Sequence, residues 1–335
     1  MIKKIQFDQF GPASEVLQCV DAPSPPSPGA GEVEIEMIYM PLNPSDLMMT
    51  GGIYGGPPPA LPCDMGREGV GRIAGLGPEV SGFSVGDLVM PFTAPTWQSR
   101  IVRPVDALIA LPSGIELQQA AMLRSGPATA ALMLRDYVTL QEGDWVIQNV
   151  ANSAVGTCFA QLAGNRGIRT LNIVRRMGSG AHLNDIPGAV VIEHLGGPSD
   201  ELKQKVAEAT AGEPVKLGLD AIAGPSTDAL AQCLANGATL VNYGVLSKEP
   251  CQIYGGHLHF RNITMRGFWM SQWLQLSAPE EIQALYGELA ELMDAGVLKM
   301  AIAGVYSFDQ IKDAAAHSAG ESRDGKILIG PQPDD

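Results

Sequence analysis

The chain has 335 residues, 45% of them hydrophobic and 6% aromatic, more material than one ordinary core takes up, so two globular domains are expected. Asp and Glu outnumber Lys and Arg by 36 to 22, giving a formal charge of −14, which disfavours nucleic acid, and no such partner is expected, because its phosphates would be repelled. No apolar run approaches the roughly 20 residues that span a bilayer, and the opening MIKKIQFDQFG carries no signal or transit pattern, so no membrane role and a cytoplasmic location are expected.

The first hundred residues read as short strands broken by Gly and Pro: Ile2–Phe7, Leu17–Val20, Glu32–Met40, Gly69–Leu76 and Asp87–Pro91. That spacing predicts a mostly antiparallel, partly closed sheet. The run from Pro23 to Glu32 is a stiff connector, since alternating apolar residues resume at Val33. The pattern turns helical from Leu117 to Tyr137, and strand and helix then alternate to about Arg261. Such alternation predicts an α/β domain with a parallel sheet covered on both faces. Beyond it, Gly267–Trp273 is aromatic, Glu280–Ala295 is an amphipathic helix and Lys326–Ile329 a short strand, a part expected to return to the first domain.

Within the alternating region, Gly143–Arg176 reads as strand, tight turn, helix, strand: Trp145–Asn149, then a helix over Val155–Arg166 stopped by Gly167, then Ile168–Val174. A dinucleotide pyrophosphate sits over such a helix start, where unpaired N–H groups and the positive dipole end face an anion. The three glycine positions of the G-x-G-x-x-G pattern are held by Ala151, Ser153 and Gly156, small enough for close approach. The turn therefore assigns Asn149, Asn152, Ser153, Ala154, Val155 and Gly156 to cofactor binding. Arg175 and Arg176 stand where an NAD site usually has an acidic residue, and two guanidiniums suit a 2′-phosphate; this favours NADPH, the alternative being a solvated surface. Leu217–Ile222 and Thr239–Tyr243 are later strands ending in AIAGPS and NYGVL, which assigns Tyr243 and Gly244 to the cofactor as well.

The five cysteines, Cys19, Cys63, Cys158, Cys233 and Cys251, lie far apart without a C-x-x-C spacing and imply neither a disulfide framework nor a zinc cluster. His257 and His259 would share one side of a strand, yet no third ligand is near, and no metal is expected.

The order of these parts resembles the medium-chain dehydrogenase/reductase superfamily over essentially the whole chain, through FDQFGPASEVL, PSPPSPGAGEVEIEM, LNPSD, GREGVGRI and FSVGDLVM. The resemblance implies a Rossmann doubly wound domain (123–262), a GroES-like, mostly antiparallel catalytic domain (1–122) and a return to it with a substrate-pocket segment (263–335). Zinc-dependent members carry a Cys-containing motif where Asn43–Asp46 stands and a His-Glu pair where this chain has Arg67 and Glu68. Within the zinc-free branch the chain resembles the mitochondrial-type trans-2-enoyl thioester reductases, through VIQNVANSAVG, RGFWMSQW and NPSDLMMTGGIYG.

That family reduces the 2,3 double bond of enoyl thioesters of CoA or acyl carrier protein with NADPH and generally works as a homodimer. The resemblance places Tyr54 as the catalytic tyrosine, Asn43 towards cofactor or substrate, Thr129 on the nicotinamide carboxamide, and Trp269 with Phe268 around the acyl pocket. Thr129 is otherwise a helix-facing threonine bonded to its own backbone. Lys326, in KILIG, either approaches a phosphate or sits on the surface. Hydride addition to the β carbon leaves an enolate that needs a donor, and a phenol with a pKa of about 10 keeps its proton at neutral pH. Two other functions remain open: reduction of a quinone, enone or other alkene by the same hydride path, and a non-catalytic NADPH-binding protein.

Overall fold

Two antiparallel strands, β1 (Ile2–Phe7) and β2 (Gln18–Ala22), open the chain, with Ile5 and Phe7 of β1 in the core. In β3 (Glu32–Pro41) buried Val33, Ile35 and Met37 alternate with Glu32, Glu34 and Glu36, the period of a half-buried strand. A short β4 (Cys63–Asp64) covers the other side of β1, and β5 (Val70–Leu76), β6 (Leu88–Pro91), β7 (Arg100–Pro104) and β8 (Leu108–Ala110) complete the meander. β3 is its centre, paired antiparallel with both β5 and β7, while β6 joins β5 to β8.

The middle of the chain forms β9 (Trp145–Gln148), β10 (Arg169–Val174), β11 (Ala189–Glu193), β12 (Val215–Asp220), β13 (Thr239–Asn242) and β14 (Thr264–Gly267). All pair in parallel, in the order β11-β10-β9-β12-β13-β14. The order reverses between β9 and β12, the switch point of a doubly wound sheet, where ligands gather at strand carboxyl ends. Every residue of β9 is buried, as expected of a strand covered on both faces. Its core holds Trp145, Ile147, Leu171, Leu230 and Leu240.

After the helix Pro279–Asp294, β15 (Ile302–Tyr306) and β16 (Lys326–Ile329) return to the first sheet; β16 runs parallel to β15 and antiparallel to β3. This computed structural model describes residues 1–196, 199–320 and 324–331. It divides into one unit of Met1–Ser125 with Ala278 onward, and another of Gly126–Ser277. The sequence had set the boundaries after residues 122 and 262. The return comes later because Thr264–Gly267 is the sixth strand of the parallel sheet, so the aromatic segment after it stays with the second unit. Among the described residues no helix is long and apolar enough to cross a membrane.

Candidate active site

In the first unit Asn43 ends β3's excursion and caps the helix Pro44–Thr50. Pro44 fits the first helical position because its missing N–H has no intrahelical partner there, and the Asp46 carboxylate accepts the Asn43 backbone N–H at 2.8 Å. The Asn43 side chain is held elsewhere. Its Nδ2 donates to Glu68 Oε2 at 2.8 Å, and its Oδ1 accepts from Lys326 Nζ, which β16 delivers beside β3. An ammonium has only donors and a carboxylate only acceptors, so the amide has a single orientation. Glu68 Oε1 also accepts the Ser125 N–H at 2.8 Å, and Glu68 is 1% exposed.

Asp46 is 2% exposed, and among the described residues its Oδ1 has no hydrogen-bond partner. Burial pushes its carboxyl up from the ordinary 3.8 to about 6, against the opposing pull of the Asn43 N–H and the cations Arg67 and Lys326. Arg67 reaches Met49 Sδ with a guanidinium nitrogen at 3.2 Å, and its Cζ lies 4.5 Å from the centre of the half-buried Tyr54 ring. Tyr54 sits in a loop with glycines at 51, 52, 55 and 56.

In the second unit the turn after β9 is clamped by both neighbouring strands. Asn149 N–H donates to Leu219 O and Ala151 N–H to Ile173 O, each at 3.2 Å. Val150, between them, has φ 50, a left-handed conformation that costs a β-branched residue about 1–3 kcal/mol. Ser153 caps the helix Ala154–Asn165 by accepting the Gly156 N–H at 3.1 Å. A Cβ on Gly156 would lie 2.6 Å from Ala151 O, so only glycine fits there. The Tyr243 hydroxyl is buried near Ser153; burial pushes its pKa well up and the Ser153 hydroxyl pulls the other way.

The strand ends beside this turn hold a second polar network. Asn149 Nδ2 donates to Asp220 Oδ1 at 2.7 Å and its Oδ1 accepts the Ala221 N–H at 2.8 Å. Asp220 also accepts from Thr227 Oγ1 and from the N–H groups of Ile222 and Ala223. The Asn149 side chain thus ties β9 to β12.

Arg175 and Arg176 stand exposed at the end of β10, and Asn152 is exposed in the turn. Thr129 is buried on the helix Gly126–Asp136. Gly244 lies against Ala221, where a Cβ would come 2.6 Å from its carbonyl oxygen. Phe268 is half-buried, its N–H bonded to Asn242 O at 2.9 Å, and Trp269 is 41% exposed at the start of the helix Met270–Leu276. Lys326 is 9% exposed, which overturns the surface alternative. His257 and His259 lie on the short helix Gly255–His259, where i, i+2 side chains diverge, and not on a strand. His257 instead meets Arg261, whose guanidinium caps the carbonyls of Ala231 and Leu234.

The sequence pattern presents Arg67 and Glu68 only as replacements for metal ligands and does not single out Asp46, whereas the structure joins all three to Asn43 or Tyr54. Two charges inside the otherwise apolar, Gly-rich MGREGVG are the signal that could have found them.

The description "Alcohol dehydrogenase GroES-like domain" matches residues 29–103, and "Zinc-binding dehydrogenase" matches 197–329. The human mitochondrial enoyl-[acyl-carrier-protein] reductase is 37% identical over 270 residues, covering 80% of this chain and 72% of its own length. A structure of Etr1p with NADP and crotonyl-CoA superposes with a TM-score of 0.86 at 25% identity, covering 98% of this chain and 99% of that one. A candidate NADPH:quinone reductase of Bacillus thuringiensis superposes with 0.88 at 28% identity over 99% of each chain. The chain belongs to the medium-chain dehydrogenase/reductase superfamily and, within it, to the family of the mitochondrial-type enoyl-[acyl-carrier-protein] reductases. The residues present do not fit zinc: Arg67 has no lone pair to give and the Asn43 carbonyl oxygen is occupied by Lys326. Among the described residues no group of three or more His, Cys, Asp or Glu is placed to hold a metal ion.

Proposed function

We propose that the protein is an NADPH-dependent oxidoreductase that reduces the 2,3 double bond of enoyl thioesters of CoA or acyl carrier protein. The observation that carries the cofactor is the end of β10, where two exposed guanidiniums follow a strand whose neighbour leads into a Ser153-capped helix start. The N–H groups of that helix start and the close approach at Gly156 suit a pyrophosphate, and Arg175 with Arg176 suits a 2′-phosphate. Thr129, Tyr243, Gly244 and Phe268 complete the cofactor's surroundings in this reading. Bound NADPH supplies a hydride for the β carbon.

Tyr54 gives its phenolic proton to the α carbon or holds the enolate oxygen by a hydrogen bond. Asn43, with its amide locked between Lys326 and Glu68, presents a fixed dipole to the reactants. Trp269 and Phe268 border the acyl chain. The test is NADPH oxidation with crotonyl-CoA, a simple enone and a benzoquinone. The thioester is expected to give the highest kcat/KM; a slow thioester beside a fast quinone would establish the alternative reading, which the likeness to the Bacillus protein favours. No turnover with any acceptor would leave a binding protein.

The family resemblance and the open edge of β14, the last strand of the parallel sheet, support a homodimer. Light scattering behind size exclusion should give twice the chain mass.

A further inference from the structure

We infer that Arg67 is a positioning residue for catalysis: it holds the ring of Tyr54 in its working place from a rigid base. The inference rests on the reading of Tyr54 as the proton donor or enolate stabiliser.

The base is rigid for two reasons. Gly66 has φ 97, and a Cβ there would lie 2.5 Å from the Trp97 backbone nitrogen, so the chain is pressed against its neighbour just before Arg67. Just after it, Glu68 is fixed by Asn43 and the Ser125 N–H through its carboxylate, and by Thr96 Oγ1 at 2.8 Å through its carbonyl. The guanidinium therefore leaves a stretch of the first unit held on both sides by close packing and hydrogen bonds.

Its target is the opposite kind of segment. The loop of Tyr54 has glycines at 51, 52, 55 and 56, with φ 70 at Gly52, 52 at Gly55 and 154 at Gly56. Glycine gives the backbone its greatest freedom, and the phenol oxygen carried in the middle of that loop has to be placed to within a fraction of an ångström. The start of the loop is tied by Gly52 and Ile53 N–H to Met49 and Met48 carbonyls. The Arg67 guanidinium crosses this start, touching Met49 Sδ, and lies over the Tyr54 ring at 4.5 Å, inside the range of cation–π attraction. Asp46, on the same helix as Met49, presents a buried carboxylate whose charge Arg67 stabilises. A planar guanidinium can stack on the ring and donate sideways at once, which a lysine ammonium cannot.

The experiment is a double-mutant cycle with a readout independent of turnover. Arg67→Ala is expected to lower kcat on the enoyl thioester by roughly 5- to 30-fold, with NADPH affinity unchanged, and Arg67→Lys to recover part of the loss. When Tyr54→Phe is already present, Arg67→Ala is expected to add nothing further. Hydrogen exchange of residues 51–56 is expected to quicken in Arg67→Ala while the unfolding midpoint stays, and Arg67→Met, which keeps the aliphatic stem, guards against a folding defect. Equal kcat losses with and without Tyr54→Phe, or unchanged exchange over 51–56, would overturn the positioning role. Full activity of Tyr54→Phe alone would instead remove Tyr54 from the chemistry and overturn the catalytic positioning role, and the exchange result would then show only whether Arg67 orders the loop.

Discussion

Both units bury a polar network beside their candidate site residues, and the two are built on different terms. In the second unit one carboxylate, Asp220, collects donors from Asn149, Thr227, Ile222 and Ala223. In the first unit an ammonium and two carboxylates gather around one residue, Lys326 and Glu68 on the Asn43 side chain and Asp46 on its backbone N–H, and among the described residues the Asp46 Oδ1 atom has no partner. Each unit also holds buried oxygens without a partner among the described residues, Asp46 Oδ1 in the first and both Gln148 Oε1 and the Tyr243 hydroxyl in the second, so what separates the two networks is charge, three ionisable groups against one. The parallel sheet fixes its strand ends with one carboxylate; the first unit encloses charges of both signs around Asn43.

The sharpest test on the side of the first unit is Tyr54→Phe, for which kcat should fall by roughly 10²- to 10⁴-fold with NADPH affinity nearly unchanged; equal rates would remove Tyr54 from the chemistry. Asp220→Ala should cost about 3–5 kcal/mol by orphaning several buried donors, read as a large drop in the denaturation midpoint, and a near-neutral result would deny the scaffold role. Arg175→Ala combined with Arg176→Ala should weaken NADPH by roughly 10- to 100-fold, the scale of losing charge-assisted bonds, while leaving NADH almost untouched. A loss shared by both cofactors would move the 2′-phosphate elsewhere.

The smallest effect sharpens the contrast most. The Asp46 carboxyl is raised from 3.8 to about 6 in the folded chain, so its contribution to stability is complete below about pH 3.8 and is lost as pH rises through about 6. Asp46→Asn removes that loss. Relative to the parent, the variant should gain on the order of 1–3 kcal/mol between pH 4 and pH 7.5, measured as the change in the difference between denaturation midpoints. A difference that does not vary with pH would show that Asp46 does not titrate there.

Much of the architecture was legible. Alternating Glu and apolar residues foretold β3, and the apolar run Trp145–Gln148 foretold a doubly covered strand, because burial on one face or two writes directly into the residue pattern. β14 escaped because TMRG is short and largely exposed, with no apolar pattern to announce a sheet edge. The His257 and His259 pair misled because spacing alone does not distinguish a strand from one turn of helix. In the site, Gly156 and Ser153 could be read from a local motif. The strained Val150 could not, since its φ of 50 is imposed by hydrogen bonds from strands far away in sequence. Lys326 and Asn43 are 283 positions apart, and nothing in either neighbourhood names the other.

That separation bears on how the chain matures during synthesis. Strand β16 pairs with β3 and carries the ammonium that holds the Asn43 amide against Glu68, so a ribosome must release nearly the whole polypeptide before the amino-terminal unit can complete that buried network. Until then the Asn43 carbonyl oxygen lacks the donor that β16 brings, and the parallel sheet, whose strands all lie between residues 145 and 267, is free to form first.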